Sequence, residues 1–502
     1  MWRGTRFDAQ IAYPNLTPRH ILGFTDTNNR ESHNPENILR KLFLPIMKNR
    51  MNRACISQFA NLHEHNRHAS SIRPLKINLV RMKPTISFPK SLYFLLIALV
   101  SCQGPSRNIK EEIYSITADL VQPDSVANFA FTPDRPVEIP LADKIVSLRP
   151  SELFEVSHYL PLESSDSSLL GRIEKIIFRD SLIFIKDDTG KRIAFFDHRG
   201  KFRGNVQHAG KGPGEYYRIM DFDVKDSLIY ILDDVNAKIF VYTYDGRWVH
   251  TRNMAVIFSN FIILPDGNFL MSTGGGQNEF IPALQQHDYL LGNPDSLITH
   301  KGFLRNESRQ KMAMYENPRT LSHYNDTILL MPKYGQTVYQ LTPDKRLRER
   351  YKIRFKKPLT EEALESADPG YMGRDMVANG YQYLDQYWLE TSQYTLFMYL
   401  YPENGKHLAL LNICFYSKER KKTFTYDSVD PDYSFLLYRP PFTTYNDRFV
   451  SILWPNDILD RKKLIEYKNA NNPEVLRILN QLKEEDNPVL MFFKIKENCP
   501  LF

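Results

Sequence analysis

The 502-residue sequence predicts an all-β fold: a six-bladed β-propeller of four-stranded antiparallel blades, with seven as the upper blade count. Three observations carry this. Two stretches repeat 46 residues apart without a gap, a turn signal falls at the same place in each copy, and a late apolar segment is suited to close a ring.

The repeat is read by setting Ile173-Glu-Lys-Ile-Ile-Phe-Arg-Asp180-Ser-Leu-Ile-Phe-Ile-Lys-Asp187-Asp188 beside Ile219-Met-Asp-Phe-Asp-Val-Lys-Asp226-Ser-Leu-Ile-Tyr-Ile-Leu-Asp233-Asp234. The register continues through Ile193 and Ile239 to Gly200 and Gly246. Each copy reads as four short strands separated by turns at Asp-Ser, after Asp-Asp, and at Gly. Alternating β-branched and aromatic residues such as Ile239-Phe-Val-Tyr favour strands over helices. One such sheet cannot bury both faces alone, so copies must stack around an axis.

Weaker copies follow in order. Residues 260–272 carry the turn Pro265-Asp-Gly267, and 325–331 with 337–344 match second and third strands. A hairpin spans 396–401 and 408–416, and 449–453 reads as a late strand. Non-repeating stretches at about 275–320, 356–392 and 457–485 hold the count to six or seven. In the segment 472–484, Val475, Leu476, Ile478, Leu479 and Leu482 share one helical side, with Pro473 in the first turn. Residues 488–496 then read as a strand that closes the ring and hides the sheet edges.

Ahead of the propeller the chain changes character. Residues 1–81 hold 13 Lys and Arg against 5 Asp and Glu and lack hydrophobic periodicity. A second start at Met82 opens a basic stretch with Lys83 and Lys90, then the apolar run Leu92–Val100, then Ser101-Cys102: the layout of an export signal. A nine-residue helix spans roughly 14 Å, too short for a hydrocarbon core of about 30 Å. The expected organisation is therefore a non-native leader at 1–81, a signal at 82–101, a polar tether at 102–136, the propeller at 137–456, and the helix with closing strand at 457–502. Residues 102–502 carry 50 basic against 53 acidic residues, so the basic pI of 8.9 belongs to the first hundred. That balance removes the electrostatic argument for nucleic acid. Cys414 and Cys499 are the two cysteines after Cys102; Cys414 reads as a core residue, and a disulfide between them is allowed outside the cytoplasm.

Several of these pieces resemble a known group. Leu99-Val-Ser-Cys102 resembles the lipobox of bacterial lipoproteins, with Cys102 the acylated residue. Ile193-Ala-Phe-Phe-Asp197, Gly200-Lys-Phe202 and Gly210-Lys-Gly-Pro-Gly-Glu-Tyr216 resemble the NHL-type repeat and its link into the next blade. With Tyr159-Leu-Pro-Leu-Glu163 and the Asn487-Pro-Val-Leu ending, the chain over about 82–497 resembles the six-bladed propeller lipoproteins of Bacteroidetes. The resemblance implies a lipid anchor in the cell envelope, at the outer membrane on either face. It carries over no catalytic residues.

Candidate sites are few. Gly210, Gly212, Pro213 and Gly214 permit a tight blade-to-blade turn that would set Glu215 and Tyr216, with His208 before them, near the channel mouth. The bland alternative is that the motif only sets blade geometry, Glu215 accepting backbone hydrogen bonds. Asp187, Asp188, Asp233 and Asp234 recur at one blade position and could offer oxygens to Ca²⁺, or simply hold turn amides; no cofactor is predicted. The expected function is a lipid-anchored module binding an extracellular or periplasmic ligand, glycan or peptide, or a protein partner. The alternatives are a metal-dependent lyase or lactonase-like enzyme and a structural scaffold of an envelope complex.

Overall fold

The computed structural model describes residues 126–499 and 501, apart from 143–144, 255, 274–277, 279–283, 285–286, 293–298, 306–318, 367–377, 403–408 and 430–439. The leader, the signal segment and Cys102 lie outside these residues.

An N-terminal segment comes first: β1 (Ala127–Asn128), β2 (Val137–Pro140), β3 (Ile145–Leu148), a helical turn α1 (Pro150–Leu153) and β4 (Phe154–Pro161). Blade I follows as β5 (Ile173–Arg179), β6 (Leu182–Asp187), β7 (Arg192–Asp197) and β8 (Phe202–Val206). Blade II is β9 (Asp221–Lys225), β10 (Leu228–Asp233), β11 (Lys238–Thr243) and β12 (Trp248–Asn253). Blade III is β13 (Asn260–Ile263), β14 (Phe269–Ser272), β15 (His287–Gly292) and β16 (Thr299–Arg305). Blade IV is β17 (Leu321–Tyr324), β18 (Thr327–Leu330), β19 (Thr337–Leu341) and β20 (Leu347–Arg354). After helix α2 (Glu361–Ser366), blade V is β21 (Tyr383–Glu390), β22 (Tyr394–Pro402), β23 (Ala409–Ser417) and β24 (Lys422–Val429). Blade VI takes β25 (Thr443–Tyr445), β26 (Arg448–Leu453) and, after helices α3 (Pro455–Leu459), α4 (Lys462–Lys468) and α5 (Pro473–Gln481), β27 (Val489–Ile495). The ring thus has six blades, not seven.

Blade VI is completed by β4, which pairs antiparallel with β27 from Val489↔Pro161 to Ile495↔Phe154. The closing strand read from 488–496 therefore meets the N-terminal side of the chain. Before reaching that position the segment 127–148 runs along three other blades: β1 pairs parallel with β16, β2 with β20 and β3 with β24. This strap covers outer edges that would otherwise be open to another chain. Phe129 and Ile139 on the strap are buried.

The 46-residue repeat recurs as hydrogen bonds. The hairpins joining the first two strands of blades I, II, IV and VI have two-residue loops: Asp180-Ser181, Asp226-Ser227, Asn325-Asp326 and Asn446-Asp447. Positive φ at both residues of the first, second and fourth loops fits the mirror-image turn that suits the right-handed strand twist. The core is six wedges, each between neighbouring blades. Phe184, Ile193 and Phe195 of blade I, for example, pack on Phe222, Ile231 and Phe240 of blade II. Helices α3–α5 thicken the V–VI wedge with Ile458, Ile465, Val475, Ile478 and Leu479. Asn472 caps α5, its side chain accepting from the Val475 amide at 3.2 Å, and Pro473 opens it as the sequence predicts. Cys414 and Cys499 lie in different wedges as free thiols, and burial pushes the Cys414 thiol up to about 12.

A cavity on the propeller axis as the candidate site

Each blade offers its first strand to the axis, so alternate residues of β5, β9, β13, β17, β21 and β25 face a common space. That space is a cavity of about 530 Å³, running from Glu174, Asn260 and Arg319 to the hairpin turns at Asp180, Asp326 and Asp447. Its volume lies within the range of small-molecule sites.

The walls carry charges of both signs. Lys175 donates to the Asp221 carboxylate at 2.8 Å and to the Phe222 carbonyl at 2.7 Å. Lys186 pairs with Glu174 at 2.8 Å and donates to the Met220 carbonyl at 2.7 Å. Asp221 and Asp223 accept from the Phe261 and Ile263 amides of the next blade at 3.0 and 2.8 Å. These groups therefore stitch blades I, II and III together at the axis. Across the ring, the Arg319 guanidinium lies over the Phe442 and Tyr387 rings, at 4.4 and 4.8 Å. Tyr324 donates to Asp447 at 3.2 Å.

Three side chains keep binding capacity. Among the described residues, Arg179 and Asp326 have no hydrogen-bond or ion-pair partner, and both are exposed to the cavity. His323 on β17 faces β5 from three blades away. Water reaches it, yet protein surrounds it; that burial, with the Lys175 and Arg179 charges and against Asp326, brings its imidazole down to about 4. At neutral pH it is an uncharged ring with one donor and one acceptor nitrogen.

Near the axis, β21 is irregular. Its register moves from Leu384↔Tyr399 to Trp388↔Phe397, leaving Asp385, Gln386 and Tyr387 in a bulge. One carboxylate oxygen of Asp385 is buried with no hydrogen-bond partner. Burial pushes this carboxyl up to about 7, against the lowering effects of the Gln386 amide and Arg319.

The sites expected from sequence sit elsewhere. None of residues 208–216 lines the axial cavity. Tyr216 is fully buried, its hydroxyl donating to the Lys191 and Val206 carbonyls at 2.8 and 3.1 Å. Glu215 accepts from the Gly212 amide at 2.7 Å, and a Cβ at Gly210 would lie 2.0 Å from that carboxylate. Gly214 adopts φ +74 against the Trp248 ring, its carbonyl accepting from Tyr242 at 2.6 Å, while His208 donates to the Gly246 carbonyl at 2.9 Å. Pro213 lies inside this turn, which joins blades I and II.

The paired acids are occupied in parallel. Asp187 accepts from the Gly171 and Gly190 amides and from Arg192, each at 3.1 Å. Asp233 accepts from the Tyr217 amide at 2.6 Å and from Val235 and Asn236. Asp188 pairs with Arg172 and Asp234 with Arg218, again 46 residues on. Sequence reading passed over Lys175, Arg179 and His323, although a signal existed. Lys175 and Arg179 recur as Asp221 and Lys225 at inner-strand positions, where a packed core would demand apolar residues.

Among solved structures, the chain resembles an exported protein of Bacteroides fragilis, with 18% identity and a TM-score of 0.58 over 72% of this chain and 100% of that one. A DUF4221 family member from Bacteroides vulgatus matches at 9% identity and a TM-score of 0.41, over 68% and 98% of the two chains. Virginiamycin B lyase from Staphylococcus aureus matches at 11% and 0.30, over 59% and 81%. The likeness to the Bacteroides fragilis protein, at 18% identity, is one of fold. No curated protein matches the sequence. Residues 136–494 match the domain of unknown function DUF4934, so the chain belongs to that family.

Proposed function

We propose that this chain is a ligand-binding propeller of the cell envelope that takes a neutral glycan in its axial cavity. The observation that carries the reading is the wall of that cavity: an unpaired guanidinium, an unpaired carboxylate and a neutral imidazole share the lining with the aromatic side chains Tyr324, Tyr445 and Phe442. Sugars offer hydroxyls that both donate and accept, and apolar ring faces that lie on aromatics. Charges of both signs on the wall favour a neutral polyol over a highly charged ligand.

The test is the melting temperature of the protein across a panel of neutral oligosaccharides. At 100 times its Kd a ligand adds about 2.7 kcal/mol, a shift of a few degrees for a domain of this size. His323→Ala should remove the shift; a panel without any response would refute the reading. The alternative reading is a metal-dependent lyase or lactonase-like enzyme; among the described residues no group of three or more His, Cys, Asp or Glu is placed for a metal ion.

The envelope part of the proposal rests on the export-signal layout of residues 82–101 and on the exported Bacteroides fragilis relative. Cys102 would carry the lipid that anchors the protein at the outer membrane. Labelled palmitate should enter the native protein and be lost in Cys102→Ser; a mature mass without acyl chains would overturn this.

A further inference from the structure

A second cavity, of about 370 Å³, lies between blades VI and I, where the two ends of the propeller chain meet. Its walls include rings set nearly parallel, beside Leu160, Ile183 and Asn446. His158 lies on Phe492 with centroids 4.3 Å apart and planes at 10°, and Phe178 lies on Tyr445 at 4.2 Å and 17°. His198 is turned to Tyr445 at 6.0 Å and 22°. Rings that serve packing alone are covered, whereas His158 and His198 are exposed and Phe178 and Tyr445 only half-buried.

This slot adjoins the axial cavity. Phe178, Tyr445 and Asn446 line both, so the two cavities are immediate neighbours. Among the described residues the slot is lined by rings, by Leu160 and Ile183, and by the Asn446 amide, with no Asp, Glu, Lys or Arg in its lining. His158 itself is held below the usual imidazole range by the protein packed on one side of it and by Arg448, against Glu474.

We propose that the slot is an accessory subsite holding one further sugar ring of the glycan bound on the axis, so that the protein selects an oligosaccharide over a single sugar. This rests on the glycan reading of the axial cavity. Stacking of one ring corresponds to about a tenfold gain in affinity.

The experiment compares wild type, the double variant His158→Ala/His198→Ala, and His323→Ala. Each is titrated with glucose, mannose and their neutral oligosaccharides by calorimetry and by NMR of the histidine side chains. Both slot histidines are exposed, so the double variant should fold. The expected result is an oligosaccharide preference of about tenfold in wild type, lost in the double variant with monosaccharide affinity unchanged. Oligosaccharides should also shift the His158 and His198 resonances. Full preference in the double variant, or slot imidazoles unmoved in every titration, overturns the subsite. Loss of axial binding is reported separately by His323→Ala: sugars that move the slot imidazoles equally in wild type and in that variant would retain the slot and refute the axial reading.

Discussion

Asp385 and His323 stand at opposite ends of a pH argument. Each unit of pKa difference is worth about 1.4 kcal/mol. An unfolded Asp385 titrates near 3.9 and the folded one near 7. Below about pH 4 both are protonated and no ionisation-linked cost arises; from there to pH 7 only the unfolded chain sheds its proton, so stability falls by at most roughly 4 kcal/mol. Asp385→Asn should therefore be more stable than wild type by an amount that grows from pH 4 to 7 and then levels off, measured by urea melts; parallel pH profiles would refute it. His323 has the opposite sign. Its folded pKa of about 4 lies below the unfolded value of 6.5, so its contribution is present above pH 6.5 and lost as pH falls towards 4. His323→Gln should flatten the acid side of the profile. Because the two windows overlap, only the single variants separate them. Neither shift is written in the residue itself, since each arises from surroundings that distant blades supply.

At the scale of elements, the strap is the feature that sequence reading treated as a polar tether up to residue 136. Short strands of two to four residues leave little periodicity, and their partners lie some 170 to 280 residues away. Ile139 is nevertheless fully buried in the IV–V wedge beside Ile353. Ile139→Ala should cost about 2–5 kcal/mol, seen as a lower urea midpoint; a cost near zero would mean the strap contributes no core. The blade-to-blade turn is just as constrained. Gly214→Ala would force a Cβ to within 2.8 Å of the Trp248 ring at a φ that L-residues avoid, with an expected loss of about 1–3 kcal/mol. The hairpins and the closing strand were legible because Asp-Ser turns and β-branched alternation are local signals. The axial cavity was not: it takes residues from all six blades, and only their assembly shows that Lys175, Arg179 and His323 face one another.

The whole molecule depends on one junction made without a covalent link. In blade VI, β27 lies between β26 and β4, so removing it breaks two ladders and opens the V–VI and VI–I wedges. Asn487 clips the same junction, accepting from the Leu170 amide at 2.7 Å and donating to the Glu163 and Ser168 carbonyls at 2.7 and 2.9 Å. A chain ending at Asp486 should not reach a cooperative thermal transition, while Asn487→Ala should keep the fold and melt earlier. The strap adds a mechanical consequence. Tension applied to the chain ahead of residue 126 loads β1 first, then β2, then β3, each held by only a few hydrogen bonds, before it reaches the long β4–β27 ladder. A propeller pulled from that side would pay out slack in three small steps around its rim, absorbing work while the ring stays shut.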